Sequence, residues 1–355
     1  MLPTTPIFDG HNDALLALAF PEPGKNRHFF EHSPHGHLDL PRARAGGMFG
    51  GLYALFVSPL PTDEPESARR SATPAGYAWK MSPALDPLHA QRQTDIMLDL
   101  LTTIERDSAG SVRITRTVQE IEACLAAGVH SATIHFEGAE AIHADLSNLA
   151  DYHDRGLRSL GITWSRPNAF GHGVPFQFPG SPDTGPGLTD AGKALVPACG
   201  QLKILLDVSH LNQQGFFDVM NLAAGPVVAS HSNAHALCPS PRNLTDDQLG
   251  AIAATGGLVG ITPAVLFLRD DGRNEADTPL SRVVDHVRYV ADLIGIEHVG
   301  LGSDFDGARV PAELGDASGL TRLIEALRDG GLSDSDIDAI AHQNWLRVLR
   351  QTWGR

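Results

Sequence analysis

The chain is poor in cysteine, short of positive charge and free of long apolar runs, and each scarcity removes a class of protein. Its three cysteines, Cys124, Cys199 and Cys238, have no metal-type spacing and cannot all pair, which points to a reducing compartment and not to a disulfide framework. No apolar run is long enough to span a bilayer. The opening MLPTTPIFDGHND has no basic segment followed by an apolar one, and the closing LRQTWGR is too polar for a lipid-anchor signal. No secretory leader or anchor is therefore expected, and the expected address is cytoplasmic. Lys and Arg number 27 against 42 Asp and Glu, a formal net charge of −15. Such a surface repels nucleic acid and anionic membrane over most of its area. No linker divides the 355 residues and no short-period repeat runs through them, so 1–355 reads as a single domain.

What the chain does have is a rhythm of eight short apolar runs, most followed by a helical pattern. They are Ile7–Asp13, Gly50–Val57, Ser131–Gly138, Leu157–Trp164, Ile204–His210, Pro226–Ser232, Gly257–Thr262 and His298–Asp306. Near-continuous apolar strands separated by helices form a parallel sheet covered on both faces. The helices carry their own punctuation. Thr117-x-x-Glu120 and Thr245-x-x-Gln248 are capping boxes, and Gly128 ends the first of these helices. Apolar residues at helical spacing mark Pro279–Gly295, and a last amphipathic helix is expected from Ser333 to Leu349. Eight such units predict an α/β fold, a (β/α)8 TIM-type barrel, with a doubly wound open sheet as the alternative. Two long stretches interrupt the rhythm: Ser58–Asp86 after strand two and Arg166–Gly187 after strand four. Both follow the C-terminal end of a strand, where barrel enzymes build their sites, so they are expected as pocket walls or lids, or as surface insertions.

The strand ends carry the chemistry. IFDGHND supplies His11 and Asp13, strand three supplies Glu137, strand five His210, strand six His231, and strand eight Asp304 followed by Asp306. In a barrel these ends meet at one mouth. Three imidazoles and two carboxylates around one point suit zinc. They would crowd a single ion, whereas two metals sharing a bridging carboxylate would use them all, an arrangement suited to hydrolysis. The bland alternative for His11 and Asp13 alone is a satisfied histidine and a capping aspartate. His32, His35 and His37 are read as a solvated loop, and His135 as support for the site or as core.

DGHND, HFEGAE, LLDVSH, SHSNAHALCPSPRN and GSDFDG, in this order, resemble the membrane (renal) dipeptidase family of the amidohydrolase superfamily. The likeness extends to HLDLPRARAGG before strand two and NWLRVL near the end. The resemblance implies a (β/α)8 barrel with two Zn2+ ions. His11 and Asp13 would hold one ion and His210 and His231 the other, with Glu137 bridging. Some relatives in the superfamily bridge with a carbamylated Lys on strand four, and no Lys occurs in Leu157–Trp164. The implied activity is hydrolysis of a dipeptide with a free C-terminal carboxylate, L-D dipeptides included, by a hydroxide held between the metals. Asp304 would shuttle the proton, and Arg242 would clamp the carboxylate as a guanidinium fork. One position departs from the family. Animal members carry a His where this chain has Trp164, and the run WSRPNAFGHG is similar to a bacterial branch. His172, the Trp164 indole and zinc alone are the candidate substitutes at that place, unless Trp164 simply packs against the substrate and His172 faces solvent. The expected partner is a small dipeptide, with no nucleic acid, no membrane, and a homodimer left open. The rival activities are another amidohydrolase, acting on an N-acyl amino acid, lactam or lactone, and a catalytically silent metal-binding scaffold.

Overall fold

A computed structural model describes residues 5–59, 70–73 and 76–354. Of the expected long segment Ser58–Asp86, residues 60–69, 74 and 75 lie outside the described residues. The eight expected strands are all present: β1 Ile7–Asn12, β2 Met48–Phe56, β6 His130–Glu137, β7 Leu157–Gly161, β9 Leu205–Asp207, β10 Val227–Ser232, β11 Leu258–Ile261 and β12 Val299–Leu301. They pair in parallel in the order β1-β2-β6-β7-β9-β10-β11-β12. An unexpected strand, β5 Val112–Ile114, pairs in parallel with the start of β6. The ring is nearly closed beyond the ends of β12 and β1. There Asp304 N donates to His11 O at 3.0 Å and Asp13 N donates to Phe305 O at 2.8 Å. Asp9 rivets the same seam by accepting from Ser303 N and Ser303 Oγ at 2.7 and 2.8 Å.

The strands alternate between two apolar neighbourhoods, as the two-residue period of a strand requires. Phe8, Leu52, Leu205, Val228 and Leu258 cluster with Trp345, whereas Ile7, Tyr53, Leu206, Val227 and Val259 belong to the larger core shared with the helices. Trp345 is fully buried and its Nε1 donates to Leu301 O at 3.0 Å. Burying a ring of this size contributes roughly 4–6 kcal/mol. Gly10 makes room for it, since a Cβ there would collide with the indole. The expected final helix is two helices joined by a π-turn: Asp334–Asp338, then Ala339–Gln343, then Asn344–Trp353. The wider turn re-phases the helix so that Asn344 Nδ2 reaches Ile296 O and Val299 O, both at 2.8 Å.

Both expected capping boxes form, at Thr117/Glu120 and Thr245/Gln248, and Gly128 ends its helix with a φ of 67°. The Pro279–Gly295 pattern gives a helix at Ser281–Ile294. The two long segments meet each other. β3 Arg70–Thr73, β4 Gly76–Trp79 and β8 Gln177–Phe178 form a three-stranded antiparallel sheet over the barrel mouth, and Trp79 N donates to Phe176 O at 2.9 Å. No helix among the described residues is long and apolar enough to cross a membrane.

Candidate metal centre

The end of β6 places Glu137 in the middle of the mouth. Its Oε1 lies 3.1 Å from His210 Nε2 and 3.6 Å from His231 Nε2, and its Oε2 lies 3.6 Å from His11 Nε2. Asp13 Oδ2 is 3.4 Å from the same His11 nitrogen. The chain therefore gathers His11, Asp13, Glu137, His210 and His231 at one place. Three overlapping groups have ligand atoms within 4.8 Å of one another: His11, Asp13 and Glu137; Glu137, His210 and His231; and His11, His231 and Asp304. Asp304 thus stands close enough to be a ligand itself.

The donor set fits metal ions. Both ring nitrogens of His11 and Oδ1 of Asp13 are buried without a hydrogen-bond partner, a cost that a native interior seldom carries uncompensated. His210 Nε2 and His231 Nε2 face each other at 3.1 Å, close quarters for two imidazoles that both seek a cation. Burial holds His210 down to about 4, and burial with the nearby His11 and Arg242 charges holds His231 well below the usual imidazole range. Neutral imidazole is the form that binds metal. Burial alone would lower His11 too, but Glu137 and Asp13 raise it well above its usual value. Burial likewise opposes the charge on Glu137, yet His11 and His210 hold that carboxyl well below its usual range. The pocket therefore favours positive charge between these carboxylates.

Three residues at the mouth adopt backbone shapes that side chains resist. His210 has a φ of 68° and Asp304 a φ of 54°, as does neighbouring Asp306 at 69°. Left-handed backbone at non-glycine residues costs free energy and persists where the surroundings impose it. Here it turns the chain ends of β9 and β12 inward. Gly307 lets that loop pass the two carboxylates, because a Cβ there would strike Asp13 and Asp304. Burial pushes the Asp304 carboxyl well above the usual range, with His11 opposing and Asp13 and Glu137 adding to the rise. Asp306 has a structural role, bonded to Arg27 and to the backbone N–H of His37, while His37 Nδ1 accepts from Asp306 N at 3.0 Å.

Outer contacts hold the ring orientations. Ser165 Oγ lies 2.8 Å from His210 Nδ1, and Ser230 Oγ lies 2.8 Å from His231 Nδ1. Ser230 Oγ donates to Asp207 Oδ2 at 2.5 Å, and Asp207 also accepts from Ser230 N and Ser209 N. His135 is fully buried between Ser159 Oγ at 3.0 Å and Asp207 Oδ2 at 3.5 Å. None of the serines, nor Asp207, stood out in the sequence. The one available signal was Asp207, a charged residue inside the apolar run ILLDVSH.

Above the centre is a cleft of about 290 Å³, lined by Asp13, Glu137, His210 and Asp304 at its base and by Trp79, Trp164 and Phe176 from the long segments. Arg242 is buried behind it. Its Nη1 donates to Ser232 Oγ at 2.7 Å and its Nη2 to His231 O at 2.6 Å, while Nε has no partner. The guanidinium carbon lies 5.8 Å from the Phe267 ring, which lines the cleft. Burial brings Arg242 down to about 10, so it keeps its charge near neutral pH. Trp164 lines the cleft; His172 is not among the lining residues. The short bridges Pro167–His172 and Gly173–Leu211 fix that segment, and His172 O accepts from Asn212 N at 3.1 Å.

A parallel barrel whose strand ends converge on buried His, Asp and Glu is the architecture of a metal-dependent hydrolase. The model of the membrane dipeptidase family, peptidase family M19, matches residues 1–353, and the chain belongs to that family. It is a metallopeptidase-type dipeptidase. A metallopeptidase of Rhodobacter sphaeroides, solved with a phosphinate mimic of the dipeptide L-Ala-D-Ala, is 45% identical with a TM-score of 0.93, covering 99% of this chain and 100% of that one. Dipeptidase aclJ of Aspergillus oryzae is 32% identical, covering 98% of this chain and 78% of its own length. An uncharacterized protein of the pqqA 5' region in Klebsiella pneumoniae is 47% identical, covering 72% of this chain and 94% of its own.

Proposed function

We propose that the protein is a dinuclear zinc dipeptidase that cleaves dipeptides with a free C-terminal carboxylate, L-D dipeptides among them. The observation that carries this reading is Glu137, whose two oxygens face opposite ways, one toward His210 and His231 and the other toward His11. A carboxylate so placed would be able to bridge two cations. His11, Asp13 and Glu137 would hold one zinc and Glu137, His210 and His231 the other. Bound there, the pair would supply an activated water near neutral pH and polarise the scissile carbonyl.

The chain's own groups do the rest. Asp304 takes the proton from the attacking water and passes it to the leaving amine. It stands beside His11 and His231 at the base of the cleft, where that water would be held. Arg242, buried behind the cleft and held by Ser232 Oγ and His231 O, supplies positive charge for the substrate carboxylate. Trp164 forms part of the cleft wall, and His172 is assigned no contact with substrate. That L-D dipeptides are among the substrates is supported by the L-Ala-D-Ala mimic bound to the Rhodobacter sphaeroides relative. Cys124, Cys199 and Cys238 are buried and unpaired, which supports a reducing, cytosolic setting. The test is turnover by zinc-loaded protein on L-L and L-D dipeptides beside N-acyl amino acids and lactones. Dipeptide turnover that exceeds the other classes is expected; faster turnover of a lactone or N-acyl amino acid would replace this reading.

A further inference from the structure

The lining of the cleft is divided. Asp13, Glu137, Asp304 and Asp306 with Arg70 and Arg309 make part of it charged, and Phe56, Trp79, Trp164 and Phe176 make part of it aromatic. Phe56 and Trp164 have ring centroids 5.0 Å apart, Trp164 and Phe176 5.4 Å, and Trp79 and Phe176 5.3 Å. All three separations fall within aromatic contact range, so the rings form one continuous face. That face begins beside the metal ligands, since the Trp164 ring lies 5.8 Å from the His210 ring. We propose that one side chain of the dipeptide is aromatic, or large and apolar, and lies on the face built by Phe56, Trp164, Phe176 and Trp79. This specificity rests on the dipeptidase reading and adds the class of side chain to it.

The face is built for a ligand as well as for loop packing. Its members come from three parts of the chain: the end of β2, the end of β4, and the segment after β7. They are locked from outside the cleft. The Trp79 N–H to Phe176 O bond ties two of those parts together. Arg166 is fully buried behind the rings, with its guanidinium carbon 5.2 Å from both the Phe56 and the Trp164 ring. Its Nε donates to Glu140 Oε1 at 2.7 Å and its Nη2 to Val57 O at 2.8 Å. A wall held from behind keeps its shape when empty, so little ordering cost falls on binding. Trp79, Trp164 and Phe176 are nevertheless only half-buried, which leaves apolar ring surface to be covered.

A cationic side chain is the other common occupant of ring faces. Here that place is taken on the protein's own account. Arg166 stands behind Phe56 and Trp164, and the Arg70 guanidinium sits 4.1 Å over the Trp79 ring. Laid on these rings, a Lys or Arg of the substrate would meet like charge, whereas an uncharged ring or a branched aliphatic chain would not.

The experiment compares kcat/KM of the zinc-loaded protein on Ala-Ala, Phe-Ala, Ala-Phe and Lys-Ala, each in L-L and L-D form. One of the two Phe dipeptides is expected to exceed Ala-Ala by about tenfold or more, the scale on which apolar pockets discriminate, and to exceed Lys-Ala. Which one it is identifies the subsite. The Phe-to-Ala selectivity ratio is expected to fall toward one in Trp164→Ala and in Trp79→Ala, with metal content checked in each. Ala-Ala or Lys-Ala turned over as fast as both Phe dipeptides would overturn the inference while leaving the dipeptidase reading standing. So would an undiminished ratio in both variants. Absence of turnover on the whole panel would bring down the dipeptidase reading, and this inference with it.

Discussion

Removing one hydroxyl, in Ser230→Ala, isolates how the protein prepares a metal-binding imidazole. Ser230 Oγ spends its proton on Asp207 Oδ2 at 2.5 Å, so toward His231 Nδ1, at 2.8 Å, it can only accept. That forces the Nδ1–H tautomer and leaves the Nε2 lone pair facing Glu137 Oε1 at 3.6 Å. Alanine deletes the acceptor. His231 then loses a hydrogen bond worth about 1 kcal/mol and the bias toward the binding tautomer. Outer partners of metal-ligating histidines typically contribute roughly 10–100-fold in affinity, or about 1.4–2.8 kcal/mol. That loss should fall on the ion shared by His210 and His231 and spare the one at His11 and Asp13. The fold should survive, because Asp207 keeps its bonds from Ser209 N and Ser230 N at 2.9 and 2.8 Å. The assay is a chelator-competition titration of zinc, with Ser230→Thr as the rescue because it restores the hydroxyl. Unchanged zinc affinity in Ser230→Ala, or equal loss in Ser230→Thr, would refute the tautomer argument.

Other outcomes follow from the same geometry. Asp304→Asn should keep its zinc and lose kcat steeply, since a proton carrier acts in the transition state; loss of metal in the variant would make Asp304 a ligand. Arg242→Ala should cost on the order of 2–5 kcal/mol of substrate recognition and narrow the gap between dipeptides and dipeptide amides, and an unchanged gap would remove the clamp. Burial holds His130 and His286 down to about 4 in the folded protein, against about 6.5 unfolded. Between those values the unfolded chain binds more protons, so stability is full above pH 6.5 and declines as pH falls, by up to about 3 kcal/mol for each group. His286, whose Nδ1 accepts from Ala234 N and whose Nε2 donates to Leu268 O, can be tested alone. Urea unfolding of His286→Gln should show a shallower decline toward pH 4, and an identical slope would contradict this.

The barrel was legible because its signal is repeated. Eight apolar runs of strand length, spaced by helices with capping boxes, leave few alternatives, and the charged residues at their ends stand out against apolar neighbours. What escaped has local reasons. β5 is three residues long and its middle member, Arg113, is exposed, so it carries no apolar run. The sheet over the mouth joins residues about a hundred positions apart, in a Pro- and Ser-rich segment and a Gly- and Pro-rich one, and such pairing leaves no local pattern. Asp9, Asp207, Ser165 and Ser230 serve the centre through contacts across strands, which no spacing along the chain records. The left-handed backbone of His210 and Asp304 is likewise set by the surrounding fold, since neither residue type demands it. His172 looked free to turn inward between two glycines, but its backbone pairs with Pro167 and that of Gly173 with Leu211, and it does not line the cleft. The final helix looked continuous because a π-turn keeps the apolar periodicity while shifting its phase by one residue.

The central claim is that Glu137 joins two metal sites into one, and zinc counting tests it most directly. Purified protein equilibrated with zinc and freed of excess should hold about two equivalents per chain, as a two-metal hydrolase requires. Glu137→Gln, which keeps the shape and removes the charge facing His11, His210 and His231, should weaken both. One equivalent in the parent protein, or a variant that loses one ion and holds the other at the parent affinity, would contradict the bridge.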